Sequence, residues 1–219
     1  MKKIMFNDRM GLTNAVLNGN KTQTRRIVKT SDAFERVNPD FDWDDEDVKN
    51  WKNDFASRIQ NMTEEEKGKC FEYLIKHPKY KVGEVVAIAQ SYRDCGGTNE
   101  DGLPHWDVLY ESVGTDNAGW DNKMFVRADL MPHQIQITNI KIERLQDISD
   151  EDCLKEGILH RFTMQGGTKI YHTPHVNGNY DLSTDDIREA FAYLINKTCG
   201  KKTWENNPYV FVYEFKLIK

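Results

Sequence analysis

Eight consecutive residues, Gly19-Asn20-Lys21-Thr22-Gln23-Thr24-Arg25-Arg26, present one lysine, two hydroxyls and two guanidiniums behind a glycine turn. Such a set of groups makes a site for polar chemistry. A lysine desolvated beside two arginines has its pKa lowered, because burial and neighbouring positive charge both disfavour the ammonium. The ordinary alternative is a solvated basic turn whose arginines pair with surface acids.

The elements around the turn decide whether these groups meet. Leu12, Val16 and Leu17 recur at helical spacing, which predicts a helix near 9 to 18 with Gly19 at its left-handed end. Thr22, Thr24, Arg26 and Val28 share one parity and Gln23, Arg25 and Ile27 the other, which predicts a strand over 22 to 28. Lys21 and Thr24 would face opposite ways in a regular strand, so joint action requires Lys21 to lie in the turn or at a bulge. The same alternation sends one arginine toward a cleft and the other outward or into a structural ion pair. Further strands are expected near 84 to 91, 106 to 112 and 124 to 128. Ile135 and Ile137 are followed by Ile140 and Ile142, a change of parity that places a bulge at Thr138-Asn139. Ser149-x-x-Asp152 opens a short helix that Gly157 ends, with Glu156 in its last turn. A glutamate there feels the negative end of the helix dipole, which suits proton donation, although an exposed helix position is its common fate. Ser183-x-x-Asp186 opens a helix with Ile187, Ala190, Phe191, Leu194 and Ile195 on one face, and Tyr209 to Leu217 alternates as a closing strand. Short strands with interspersed helices predict an α+β fold around a small closed or nearly closed β-barrel.

Gly19, Lys21 and Arg26 reproduce the G-x-K-x-x-x-x-R pattern of the ASCH family of PUA-like domains, and Lys21-Thr22-Gln23-Thr24-Arg25-Arg26 resembles its phage-encoded branch. In the same order, Val82-Gly83-Glu84-Val85-Val86 resembles the family's V-G-D element, Lys141 to Ser149 the segment leading to its second helix, and Asn207 to Phe215 its closing strand. Ala87-Ile88-Ala89-Gln90-Ser91-Tyr92 stands where phage relatives carry a tryptophan and the run R-E-T/S-W, and 31 to 80 and 94 to 123 have no counterpart in the minimal domain. The resemblance implies a single PUA-like domain over 1 to 219 with flanking helices and a helical insertion at 31 to 80. Within that insertion Val48, Trp51, Phe55 and Ile59 mark one helical face and Thr63-x-x-Glu66 opens another helix that stops at Pro78. By similarity to the small bacterial members that hydrolyse N4-acetylcytidine, the resemblance implies Lys21, Thr24 and Glu156 as catalytic residues. Asp150, Glu151 or Asp152 would replace Glu156 after a small shift in alignment. Gly19, Thr22, Arg25 and Arg26 complete the implied site as substrate contacts, with Arg26 as the inward arginine.

Composition bounds the remaining readings. A chain of 219 residues with 38% hydrophobic residues is long enough to bury a sizeable core as one domain. No apolar stretch approaches the roughly 20 residues of a membrane span and no signal-peptide h-region follows Met1-Lys2-Lys3, so the expectation is a cytoplasmic protein without a membrane partner. The net charge of −5 is uneven: residues 1 to 30 hold seven Lys or Arg and one Asp, whereas 31 to 66 hold twelve acids and four bases. Two readings follow, a phosphate-bearing ligand drawn to the first segment or an acidic insertion that folds back to neutralise it. Cys70, Cys95, Cys153 and Cys199 show no C-x-x-C and read as free, buried thiols. His172-Thr173-Pro174-His175 with His160 reads as a surface loop rather than a metal site, so no metal or other cofactor is expected. Among the aromatics, only Trp120 and Trp204 are candidates for a base-stacking platform. Two principal function classes result: a metal-free amidohydrolase acting on an acylated, cytosine-like nucleoside, and a non-catalytic module that binds single-stranded RNA or a modified base. A weaker third is an interaction protein whose acidic insertion mimics nucleic acid.

Overall fold

A computed structural model describes residues 1–28, 63, 65, 71–72, 74–96, 116–174 and 182–218. Its strands are β1 (Lys2–Ile4), β2 (Gln23–Ile27), β3 (Val85–Ile88), β4 (Gln134–Arg144), β5 (Leu159–Thr163), β6 (Lys169–His172), β7 (Ser183–Thr184) and β8 (Tyr209–Leu217). Its helices are α1 (Leu12–Leu17), α2 (Tyr92–Gly96), α3 (Asp150–Lys155), α4 (Ile187–Cys199) and α5 (Thr203–Asn206), with short 3-10 turns at Asp8–Met10, Ala128–Leu130 and Leu145–Asp147. The fold is α+β, with a five-stranded sheet ordered β1-β3-β4-β8-β2 and a three-stranded sheet ordered β5-β6-β7.

The alternating sequence of β8 becomes the spine of the larger sheet. It pairs antiparallel with β4 from Ile135↔Leu217 to Arg144↔Tyr209, and the register shifts between Ile137 and Asn139, where the isoleucine parity changes. On its other side β8 pairs antiparallel with β2, Gln23 opposite Glu214 and Arg25 opposite Val212. β1 runs parallel to β3 and β3 antiparallel to β4. The edge strands β1 and β2 form no ladder with each other among the described residues, yet the sheet curls enough for Arg26 Nη2 to donate to the Met5 carbonyl at 2.6 Å.

Helix α4 contributes Ile187, Ala190, Phe191, Leu194 and Ile195, all buried, to the same core cluster as Ile135, Ile137, Val210 and Val212 of the sheet. Burial of each large side chain contributes roughly 1.5–3 kcal/mol before ordering costs. Among the described residues no helix is long and apolar enough to cross a membrane.

Several local expectations are corrected. Residues 124–128 form a turn leading into a 3-10 helix instead of a strand: the Asn122 side chain accepts from Met124 N, Phe125 N donates to the Asn122 carbonyl, and Met124 and Phe125 are exposed. Asp186, and not Ser183, caps α4, its carboxylate accepting from Arg188 N and Glu189 N, while Ser183 pairs with His172 in β7. The segment around His172 is no surface loop, since His172 ends β6 and it, Thr173 and Pro174 are buried. Trp120 is buried with Tyr92, Val126 and Met131, and Trp204 packs edge-on against Phe191, so both serve packing rather than an open platform. Cys153 is buried, Cys95 half-buried and Cys199 exposed, all three free. The expected strand at 106–112, the face Val48-Trp51-Phe55-Ile59, Cys70 and His175 lie outside the described residues, as does most of the 31–80 insertion.

Candidate active site

Lys21 occupies a turn before β2, which frees it from strand parity. Gly19, at φ +75°, ends the α1 turn with its N–H on the Val16 carbonyl, and Lys21 N then donates to the Ala15 carbonyl at 2.9 Å. Thr22 N donates to the Lys155 carbonyl at 2.9 Å, tying the turn to the last residue of α3. That tie sets Lys21 beside Glu156, which caps the C-terminal end of α3. Gly157 follows at φ +102°, and a Cβ there would lie 3.5 Å from Lys21 Cβ, so the backbone after α3 passes directly against the lysine.

The ammonium of Lys21 is 2% exposed and donates to Glu156 Oε2 at 2.6 Å and to the Glu156 carbonyl at 2.8 Å. Glu156, 3% exposed, accepts on its other oxygen from Arg25 Nη1 at 3.0 Å. Arg25 is saturated: Nη1 also reaches Gln23 Oε1 at 2.6 Å, Nη2 reaches Glu143 Oε1 at 2.6 Å and Asp152 Oδ2 at 3.2 Å, and Nε reaches Glu143 Oε1 at 3.2 Å. A guanidinium has five N–H donors, and all five have acceptors here. Lys141 bridges Glu143 and Asp152 at 2.8 and 3.3 Å, and Lys155 reaches Asp152 at 3.3 Å, so the network runs from the buried lysine to the surface.

Burial drives the Lys21 pKa below its ordinary value; Glu156 opposes this shift, and Arg26 and Arg25 reinforce it. Burial also works against the charge of Arg25, but Glu156 and Glu143 outweigh it and hold the guanidinium above its ordinary value. Asp152 is held below the usual carboxylate range: burial pushes it up, and Lys141, Lys155 and Arg25 pull it down further. Cys153, on the buried side of α3, is pushed up to about 12 by burial and is therefore inert as a thiolate.

Lys21, Thr24, Arg25, Arg26 and Glu156 line one pocket of about 90 Å³, closed by Phe6, Leu12 and the α4 residues Leu194, Ile195, Thr198 and Cys199. The Thr24 hydroxyl, on a buried residue, has no hydrogen-bond partner among the described residues. A larger pocket of about 390 Å³ shares Arg25, Arg26 and Cys199 with it and is walled by Tyr80, Phe211 and Tyr213. Glu156 is thus the acid that reaches Lys21, whereas Asp152 serves Arg25, and Asp150 and Glu151 are exposed. Gly19 and Thr22 lie outside both pockets and are exposed.

The two arginines divide as the alternation requires. Arg25 is the one held in a structural ion-pair network, with Glu143, Asp152 and Glu156 on its face of β2, whereas Arg26 is exposed and lines both pockets, with Cζ 6.0 Å from the Phe6 ring centre. Saturated as it is, Arg25 has no donor left for a substrate. Sequence reading did not single out Gln23 and Glu143 as partners of Arg25; the signal for Asp152 is its i, i+4 spacing with Glu156 on one face of α3. Among the described residues no three His, Cys, Asp or Glu side chains group to hold a metal ion. Compared with known protein families, curated proteins and solved structures, the chain matches none.

Proposed function

We propose that the protein is an ASCH-type amidohydrolase that removes an acyl group from the exocyclic nitrogen of a cytosine-like nucleoside, and that its curled five-stranded sheet is a PUA-like barrel. The observation that carries the reading is the meeting of a buried, pKa-lowered lysine, a buried glutamate at 2.6 Å and an unpartnered threonine hydroxyl at one concave pocket. Three buried groups of these types at a pocket are what acyl transfer requires and what a flat RNA-binding face does not.

In this reading neutral Lys21 takes the proton of the attacking hydroxyl, Thr24 Oγ1 or a water, as that oxygen bonds to the acyl carbon. The 2.6 Å contact passes the proton to the Glu156 carboxyl, and the leaving amine collects it as the C–N bond breaks. Where Thr24 is the nucleophile, a water then cleaves the acyl ester and restores the hydroxyl. Arg25 is a positioning residue that fixes Glu156 Oε1 so that Oε2 stays on Lys21. The small pocket takes the acyl amide and the adjoining aromatic-walled pocket the base and ribose.

The test is incubation of chelator-treated wild-type protein with N4-acetylcytidine and a panel of other N-acylated nucleosides, with products separated by chromatography. Deacylation of at least one cytosine-like member is expected. No product across the panel, combined with tight RNA binding that Lys21→Ala weakens, would replace the hydrolase with a binding module.

A further inference from the structure

The β5–β6 hairpin is the most exposed regular element among the described residues. Residues 160–169 are all exposed, so both faces of the ribbon meet solvent, unlike any strand of the larger sheet. Between Gly157 and Pro174 the chain carries Arg161 and Lys169 and no Asp or Glu, although the whole sequence holds 35 acids. Lys169 pairs with no acid among the described residues. Phe162 and Met164 are 44% and 52% exposed, large apolar groups left uncovered on a basic ribbon.

The local geometry groups charge and ring. The β5–β6 register shifts between His160 and Phe162, which puts Arg161 at a bulge, and its guanidinium carbon lies 5.7 Å from the Phe162 ring centre. Thr163 pairs with Lys169, so the second cation sits across the ribbon one step beyond Phe162. Gly166 and Gly167, at φ +103° and +92° with nothing near a Cβ, close a tip with open space around it. The root of the ribbon is the site itself, since buried Gly157 and Ile158 follow Glu156 directly.

We propose that this hairpin is a docking arm for a single-stranded polynucleotide, with Arg161 and Lys169 on its phosphates and Phe162 stacked on a base. An acid-free ribbon with two cations complements a polyanion, and an exposed ring beside a guanidinium fits an unpaired base rather than a duplex edge. The proposal rests on the hydrolase reading only in naming what is delivered: a strand held on the arm presents one base to Lys21, which makes the substrate a nucleotide within a chain.

The experiment measures binding of fluorescent single-stranded cytidine oligomers, as RNA and as DNA, to the full-length protein by anisotropy over a range of salt, with a duplex of equal length as comparison. Wild type is expected to bind either single strand more tightly than the duplex. Arg161→Gln/Lys169→Gln should weaken binding roughly tenfold and reduce the slope of log K against log salt by about 1.4, the loss of two phosphate contacts on a single strand. Phe162→Leu should weaken binding about fivefold or more with the slope unchanged. Thermal melting checks that the variants fold, and Phe162→Leu is informative even if the double variant does not. Absence of binding by wild type, equal binding of the duplex, or variants with unchanged affinity and slope would overturn the arm. Arm-dependent binding without deacylation would instead fail the hydrolase alone, and nucleoside deacylation without oligomer binding would fail the arm alone.

Discussion

At Arg25 every N–H donor has an acceptor, and three of the four acceptor residues are carboxylates in or near the core. Removing the cation leaves Glu143, Asp152 and Glu156 facing one another, and breaking a buried pair from one side costs about 3–5 kcal/mol. Arg25→Ala should therefore lose that much in urea denaturation, while Arg26→Ala, at an exposed position, should stay within about 0.5 kcal/mol. Equal losses would contradict the assignment. Alternation identified two opposed arginines but not which face the helices cover, because that depends on α3 and β4, far away in sequence. Lys21 supplies a prediction with a sign. Its pKa is depressed by burial, so between the folded value and the ordinary 10.5 the native state binds fewer protons than the unfolded chain. Stability from this group rises with pH across that window. The stability of wild type minus that of Lys21→Met should increase from pH 7 to pH 10, and a difference that falls would exclude a depressed lysine.

The elements set how closely Lys21 and Glu156 approach. Gly157 turns the chain out of α3 at φ +102°, and the positions its Cβ would meet, Pro174 Cγ at 3.4 Å and Lys21 Cβ at 3.5 Å, are ordinary contacts. The cost of a side chain there is conformational. Gly157→Ala should lose about 1–2 kcal/mol in chemical denaturation, with a fall in turnover as Glu156 shifts; an unchanged midpoint would show that this turn does not depend on glycine. The apolar patterns of core elements were legible in the sequence: the apolar run of β8, buried on both faces from Val210 to Tyr213, the parity change at Thr138 and the apolar face of α4 all match the structure. The β5–β6 hairpin was not, because a ribbon exposed on both faces carries no alternation to read. Met124-Phe125-Val126 misled in the opposite way, its apolar run lying in a turn that the Asn122 side chain holds.

Across the whole molecule, the basic first segment is neutralised at Lys21 and Arg25 by β4 and α3, through Glu143, Asp152 and Glu156. Sequence left that choice open between a bound anion and the acidic 31 to 66 stretch, since pairing across more than a hundred residues depends on the fold. β2, α3 and α4 converge on one pocket, and the larger pocket opens beside it at Arg26 and Cys199. The proposed catalytic set was legible as residue types in a turn and a helix end; its burial and the pairing of Glu156 with Arg25 were not. The most direct measurement is kcat/KM for deacetylation of N4-acetylcytidine by wild type, Lys21→Met and Glu156→Gln, each shown to be folded by thermal melting. A general acid or base contributes roughly 10²- to 10⁴-fold, and both variants are expected to lose at least the lower figure. Folded variants that retain wild-type turnover would contradict the assignment of Lys21 and Glu156 as the groups that move the proton.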